Sequence, residues 1–332
     1  LSRRQRQMCI RDRYCSDGNV NPDMNPYVDG VRTAVDLNRV YKDYPTLVHN
    51  KNGGSGTIPD PVDPVQTITV YDQNSKKNVT DSIDNLLPQI VQNEVGGFNS
   101  EEVWKAQAVA ARSWLLYQMS ISDNPPTVGL KTATQAVKNA CAAVKDKVVT
   151  YNGTVANTLY GASNSTKTNS ALNMWGTAVP YLIEEIDSPG DANATHSTAS
   201  QGTVKSQGFT STIGLAQMKA NIEKMYPGST ANRTDYENWL TNPMRSSTGY
   251  VTSITVMGNK TSCGKFYDNC WGLFSPNFTM KYNGNGTWTF TTYGNGHCVG
   301  MSQWGAYGYA KEGRSWEWIL NHYYPGTKVE NY

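Results

Sequence analysis

The sequence predicts a mixed α+β fold, with short segregated sheets and helices forming two lobes that share one core around a cleft. Three observations carry that expectation. Short runs with a period of two recur between turn residues, an alanine-dense helical run follows Asn99, and two capped helical runs close the chain. At 332 residues the chain is long enough to bury a full core.

Periodicity and turn chemistry set the elements in order. Val65-Gln66-Thr67-Ile68-Thr69-Val70-Tyr71 alternates apolar and polar side chains as a half-buried strand does. Asn99 serves as N-cap of a helix running to about Gln118, with Glu102 reaching back to the cap amide. Its alanines permit close packing on a neighbour. Val148–Tyr151 and Thr154–Tyr160 flank Asn152-Gly153, a hairpin turn. Residues 192 to 210 are polar and read as loop. Helical periodicity returns between Ile213 and Met225, and Val251–Val256 reads as a strand. Phe278–Met280 and Trp288–Phe290 flank Asn283-Gly284-Asn285-Gly286 as a second hairpin. The last helices span about 302 to 311, stopped by Gly313, and about 316 to 323, with Ser315 as cap and Pro325 as breaker.

The chain divides into four stretches. Residues 1–13 carry five arginines against Asp12 and lack an initiator Met and any hydrophobic period. They read as a non-native, adapter-like head rather than as a basic nucleic-acid arm. The net charge is +2, and removing the head's +4 leaves the rest at −2, so nothing marks a nucleic-acid partner. Residues 14–65, rich in Asn, Asp, Pro and Gly, read as an irregular arm or linker. Residues 66–191 and 192–332 then form the two parts of one domain. With 20 Tyr, 9 Trp and few charges, the composition suits an exported, extracytoplasmic protein whose signal peptide or anchor is missing with its native start. No run reaches the ~18 consecutive apolar residues that a membrane helix needs. Of the six cysteines, Cys263 and Cys270 bracket a short polar loop that either closes as a disulfide or leaves buried free thiols.

Two stretches carry the chemistry. Tyr293-Gly294-Asn295-Gly296-His297-Cys298-Val299-Gly300-Met301-Ser302-Gln303-Trp304-Gly305-Ala306 packs glycines, a histidine and a hydroxyl into a strand-to-helix turn. Such glycines accept positive φ and let a ligand approach the main chain. Ser302 and Gln303 open the helix, where backbone amides favour an oxygen-rich ligand, although a plain cap is the commoner use of Ser302 taken alone. The other stretch is Trp104-Lys105-Ala106-Gln107-Ala108-Val109-Ala110-Ala111-Arg112-Ser113-Trp114. At 100° per residue, Lys105 and Arg112 share a face about 10 Å apart, able to hold an acidic substituent or to pair with carboxylates, while Gln107 points the other way. Ahead of it, Ile90-Val91-Gln92-Asn93-Glu94-Val95-Gly96-Gly97-Phe98 sets one carboxylate between apolar residues before a Gly-Gly turn, a candidate general acid.

Together the two motifs resemble those of the stage II sporulation protein D family and the related amidase enhancers, over roughly residues 85 to 330. The resemblance implies a peptidoglycan lytic transglycosylase with a glycan-binding cleft and no cofactor. Glu94 would be its catalytic acid and base, and Asp187 the best second carboxylate if the reaction were hydrolysis. Lys105, Arg112, Ser163, His297, Ser302 and Gln303 would bind substrate, with Glu94 and His297 lining one cleft. His297 has three roles open to it: bonding a sugar hydroxyl, orienting Glu94, or satisfying the turn. Cys298 stands where similar proteins carry Gly, and adjacent residues in an extended segment face apart, which argues against a Cys–His pair. The implied partners are peptidoglycan glycan strands, including strands stripped of stem peptides, and an N-acetylmuramoyl amidase. A non-catalytic module that presents glycan to such an amidase is the alternative. Sporulation members of the family bind zinc through a Cys/His cluster, but the matching segment here, Thr127-Val128-Gly129-Leu130-Lys131-Thr132-Ala133-Thr134-Gln135, has neither residue. Cys141 alone cannot supply three or four ligands, so no metal is expected.

Overall fold

A computed structural model of the protein describes residues 66–199, 201–270 and 272–332. The head, the arm, Cys9 and Cys15 lie outside the described residues. The chain opens with β1 (Thr67–Asp72), β2 (Lys77–Ser82), α1 (Ile83–Val95) and α2 (Glu101–Ile121). There follow β3 (Thr127–Val128), α3 (Gln135–Ala143), β4 (Lys147–Tyr151), β5 (Thr154–Val155), β6 (Tyr160–Gly161) and α4 (Ala171–Trp175). A 3-10 turn, Pro189–Asn193, leads to β7 (Thr195–Thr198), β8 (Gly202–Lys205), β9 (Gln207–Gly214) and α5 (Leu215–Met225). Next come β10 (Leu240–Arg245), β11 (Val251–Val256), β12 (Asn259–Ser262) and α6 (Cys263–Asn269). The last elements are β13 (Phe278–Tyr282), β14 (Thr287–Tyr293), β15 (Met301–Ser302), α7 (Gln303–Lys311), α8 (Trp316–Tyr323) and β16 (Lys328–Asn331).

The class is α+β, as the sequence predicts. The sheets are small, with orders β2-β1-β3, β10-β11-β12, β13-β14-β9 and β16-β4-β5, plus the pairs β7-β8 and β15-β6. The expected cleft between two lobes is not evident among the described residues. At the centre of the helical part stands α2, whose Val103, Ala106, Ala108, Val109, Ala110, Ala111 and Leu115 are fully buried. Its alanines leave room for α1, α3, β4, α7 and α8 to pack around it. Ser113 locks β4 to it, donating to the Val109 carbonyl at 2.7 Å and accepting the Val149 N–H at 2.8 Å.

The run before Glu94, to which the sequence assigned no element, is a helix: Ser82 caps α1 by accepting the Asn85 N–H at 3.1 Å, and Pro88 lies inside it. Three local expectations change. The cap of α2 is Ser100 rather than Asn99. Glu102 turns away from that cap to accept the Trp316 N–H at 2.7 Å, tying α2 to α8. Residues 192 to 210, read as loop, contain β7, β8 and the start of β9. Cys263 and Cys270 bracket α6 instead of a loop, and both are free and buried. Seven helical residues separate their backbones by about 10 Å, beyond the reach of a disulfide.

Glycines set how closely α7 docks on the 3-10 turn. A Cβ on Gly190 would lie 2.6 Å from the Trp304 carbonyl, and one on Gly308 would lie 2.8 Å from the Gly190 Cα. At Gly305 it would fall 2.0 Å from both Ser188 Oγ and Tyr323 Oη, which share a buried 2.6 Å hydrogen bond. Neither can retreat without losing the other. Gly305→Ala should therefore destabilise the fold by about 1–3 kcal/mol in urea denaturation; an unchanged midpoint would show that this contact yields freely.

Candidate active site

Glu94 is the penultimate residue of α1 and is partly buried. A carboxylate in the last turn opposes the helix dipole, which costs about 0.3–1 kcal/mol at exposed positions. Local stability does not explain it there. Gln303, the first residue of α7, donates from Nε2 to Glu94 Oε2 at 2.9 Å and lies 3.5 Å from Gln107 Oε1. One carboxylate oxygen is thus anchored, while Oε1 has only a long 3.5 Å contact from Asn93 Nδ2.

Two residues that the sequence reading left out of the site belong to this cluster. Gln107 is fully buried in α2, and its side chain bears on the Tyr160 hydroxyl. Tyr160, in β6, has its phenol held far above the usual range by burial and then by the Glu94 charge. Its hydroxyl therefore stays protonated under the influence of the Glu94 charge. Parallel pairing of β6 with β15, Tyr160 opposite Met301 and Gly161 opposite Ser302, brings Tyr160 to the foot of α7.

His297 joins the cluster through that strand. Its Nδ1 accepts the Val299 N–H at 3.0 Å, so its proton sits on Nε2. Burial pulls its pKa down to about 4, with a Tyr160 backbone hydrogen bond pulling the other way, so the ring is neutral at neutral pH. The turn that carries it comes very close to the strand segment before it. A Cβ on Gly300 (φ 75°) would lie 2.1 Å from the Leu159 carbonyl, and one on Gly294 (φ 88°) 2.9 Å from the Ser163 carbonyl. Cys298 adopts φ 63° and is buried, its Sγ 3.5 Å from the Ser163 carbonyl, and burial raises its thiol far above the ordinary value. It is a packing thiol.

The other candidates are taken up in packing. Ser302 caps α7, accepting the Gly305 N–H at 3.0 Å and donating to Asp191. Ser163 is fully buried and bridges by backbone to Asn295 at 2.8 and 3.1 Å. Lys105 pairs with Glu101 at 2.7 Å and Glu102 at 3.6 Å on its own helix. Arg112 pairs with Asp84 at 2.5 Å, at the opposite end of α1 from Glu94. It lines a hollow of about 590 Å³ with Asp84, Lys138 and Lys145. Asp187 is exposed and pairs with Lys167 at 3.3 Å. Among the described residues no group of three or more His, Cys, Asp or Glu could hold a metal. Burial also pushes the Cys141 thiol up to about 12, keeping it protonated.

The family described as Stage II sporulation protein matches residues 71–178, the stretch holding Glu94, Gln107 and Tyr160. The chain is 26% identical over 310 residues to the stage II sporulation protein D of Bacillus subtilis, covering 86% of this chain and 84% of that one. It is 27% identical over 293 residues to the amidase enhancer of the same bacterium, spanning 74% of this chain but 40% of the longer relative. An uncharacterized protein of Brachyspira hyodysenteriae is 27% identical over 269 residues. The chain is thus similar, over most of its length, to proteins of the stage II sporulation protein D and amidase enhancer type.

Behind the site, Asp191 is fully buried and ties three segments together. It accepts from Ser302 Oγ and, at 3.0 Å, from the Asn164 N–H, and it also bonds Ser188. Burial raises it from 3.8 to about 7 despite these bonds. The native state then holds a proton that the unfolded chain releases near 3.8, so stability contributed by this group is full below that pH and is lost as pH rises towards about 7. Denaturant midpoints should decline across that window in the native protein and decline less in Asp191→Asn. Parallel profiles would mean that Asp191 titrates as it does in the unfolded chain.

Proposed function

We propose that the protein is a peptidoglycan lytic transglycosylase, cleaving the β-1,4 bond between N-acetylmuramic acid and N-acetylglucosamine. The supporting observation is the half-anchored carboxylate: Gln303 fixes Glu94 Oε2 while Oε1 is left with one long contact. A fixed group with one oxygen to spare suits a proton donor that must become a base without moving. Protonated Glu94 gives its proton to the bridging oxygen as the bond from C1 to that oxygen breaks. The carboxylate so formed takes the proton of the muramic acid 6-hydroxyl, whose oxygen bonds to C1. The proton is returned to Glu94, and the sugar leaves with a 1,6-anhydro end. One carboxylate serves both steps, where hydrolases generally use a pair. Asp187 is exposed and paired with a lysine, which favours the one-carboxylate route.

Gln107 Oε1 meets the same Gln303 amide that holds the carboxylate, and Tyr160 keeps a protonated phenol within the field of Glu94, whose negative charge appears and disappears during the cycle. His297, being neutral, serves this chemistry by holding the backbone of Tyr160. The protein acts on the cell envelope, outside the cytoplasm, in wall remodelling, and its likeness to proteins named stage II sporulation protein D links that role to sporulation. Likeness to an amidase enhancer supports a second reading, in which the protein binds glycan without cutting it and serves a partner amidase.

Glu94→Gln separates the two. Under the catalytic reading it lowers cleavage of peptidoglycan strands by ~10²–10⁴-fold. Folding is retained, because removing a charge that opposes the helix dipole stabilises α1. Mass spectrometry of strands digested by the native protein should show anhydro ends, before or after removal of stem peptides. Cleavage at the native rate in Glu94→Gln would end the assignment, and reducing ends would replace transglycosylation with hydrolysis. Strand binding without any cleavage would favour the enhancer.

A further inference from the structure

Trp175 ends α4 with 44% of its surface exposed, and Leu172, one turn earlier, exposes 55%. An indole this open is normally mobile, but here its backbone is pinned. Ser170 caps α4 by accepting the Asn173 N–H at 3.1 Å, and Gly176 ends it in the left-handed conformation at φ 78°. From behind, α6 presses so closely that a Cβ on Gly264 would lie 2.4 Å from the Met174 carbonyl and 3.4 Å from Trp175 Cδ1. The ring is braced on one side and open on the other.

Its neighbour is the turn histidine. The Trp175 and His297 ring centroids lie 5.5 Å apart at 58°. His297 in turn contacts the β6 strand, where a Cβ on Gly161 would sit 4.0 Å from His297 Cε1, and the next residue, Tyr160, bears on Glu94. A row therefore runs from the open indole through His297 to β6, whose Tyr160 feels the charge of Glu94.

We propose that Trp175 is the stacking platform for a pyranose ring of the glycan strand, at a subsite away from the bond that Glu94 cleaves. This rests on the glycan-cleaving reading above and adds its substrate-holding surface. One face of a β-linked N-acetylhexosamine ring presents axial C–H bonds, which pack on the apolar face of an indole while equatorial hydroxyls and acetamido groups stay hydrated. Leu172 extends the apolar surface along the strand. A protein partner would seek a wider apolar patch, whereas one rigid ring in line with a reactive carboxylate fits a linear sugar chain.

The test uses Glu94→Gln as the non-cleaving parent and measures binding of peptide-free glycan strands by calorimetry. Adding Trp175→Ala should weaken binding by about tenfold or more, and Trp175→Phe by less. Thermal melts check that each variant is folded. In 5-fluorotryptophan-labelled parent protein, the fluorine signal that vanishes in Trp175→Phe should shift on glycan addition, a readout that survives even if Trp175→Ala fails to fold. Binding within twofold of the parent in Trp175→Ala, or a Trp175 signal unmoved at saturation, overturns the platform while leaving the glycan reading standing. No binding by the parent itself overturns both.

Discussion

The hydrogen bond from Gln303 to Glu94 joins residues 209 positions apart, and the rest of the site is arranged around keeping it in place. Glu94 is delivered by α1 and Gln303 by α7, helices that share α2 as a common neighbour. Because α2 presents alanine where most helices present larger side chains, the helices around it can lie close enough for two side chains to meet. The register of α7 is set by its other contacts, with Ser302 capping its start and glycines pressed against the 189–193 turn. A shift of α7 by even one residue would replace Gln303 at the carboxylate with Ser302 or Trp304.

That precision has an energetic cost. The site gathers buried polar groups that are only partly satisfied. Ser163 Oγ and Asn169 Nδ2 have no hydrogen-bond partner among the described residues. Asp191 is buried with hydroxyl and amide donors around it but no paired cation. Each unmet buried group costs on the order of 1–3 kcal/mol. A fold selected for stability alone would replace them with apolar residues, and their concentration behind Glu94 and the Gly-His turn marks the region where function outweighs stability.

How much the sequence revealed depended on the range of the interaction. Hairpins such as Asn152-Gly153 and caps such as Ser315 are local, and both were legible. Glu94, His297 and Gln303 were legible as residues because two long motifs pointed to them, but the bond between Glu94 and Gln303 was not. Lys105 and Arg112 do lie on the same side of α2 by helical geometry. What each meets was hidden, since Asp84 belongs to a helix to which the sequence assigned no element and Glu101 lies on the turn before Lys105. Tyr160 enters the site through two-residue pairing with β15, which carries too few residues to leave a periodic signal. The signal that would have found Gln107 was present: a lone amide in an alanine run that is apolar on every other turn.

The most direct measurement is a crystal structure of Glu94→Gln bound to a peptide-free glycan oligosaccharide. The account predicts the residue 94 side chain within about 3 Å of the oxygen bridging N-acetylmuramic acid and N-acetylglucosamine, with Gln303 still touching its other end. A glycan seated on a face of the protein away from residue 94 would contradict it.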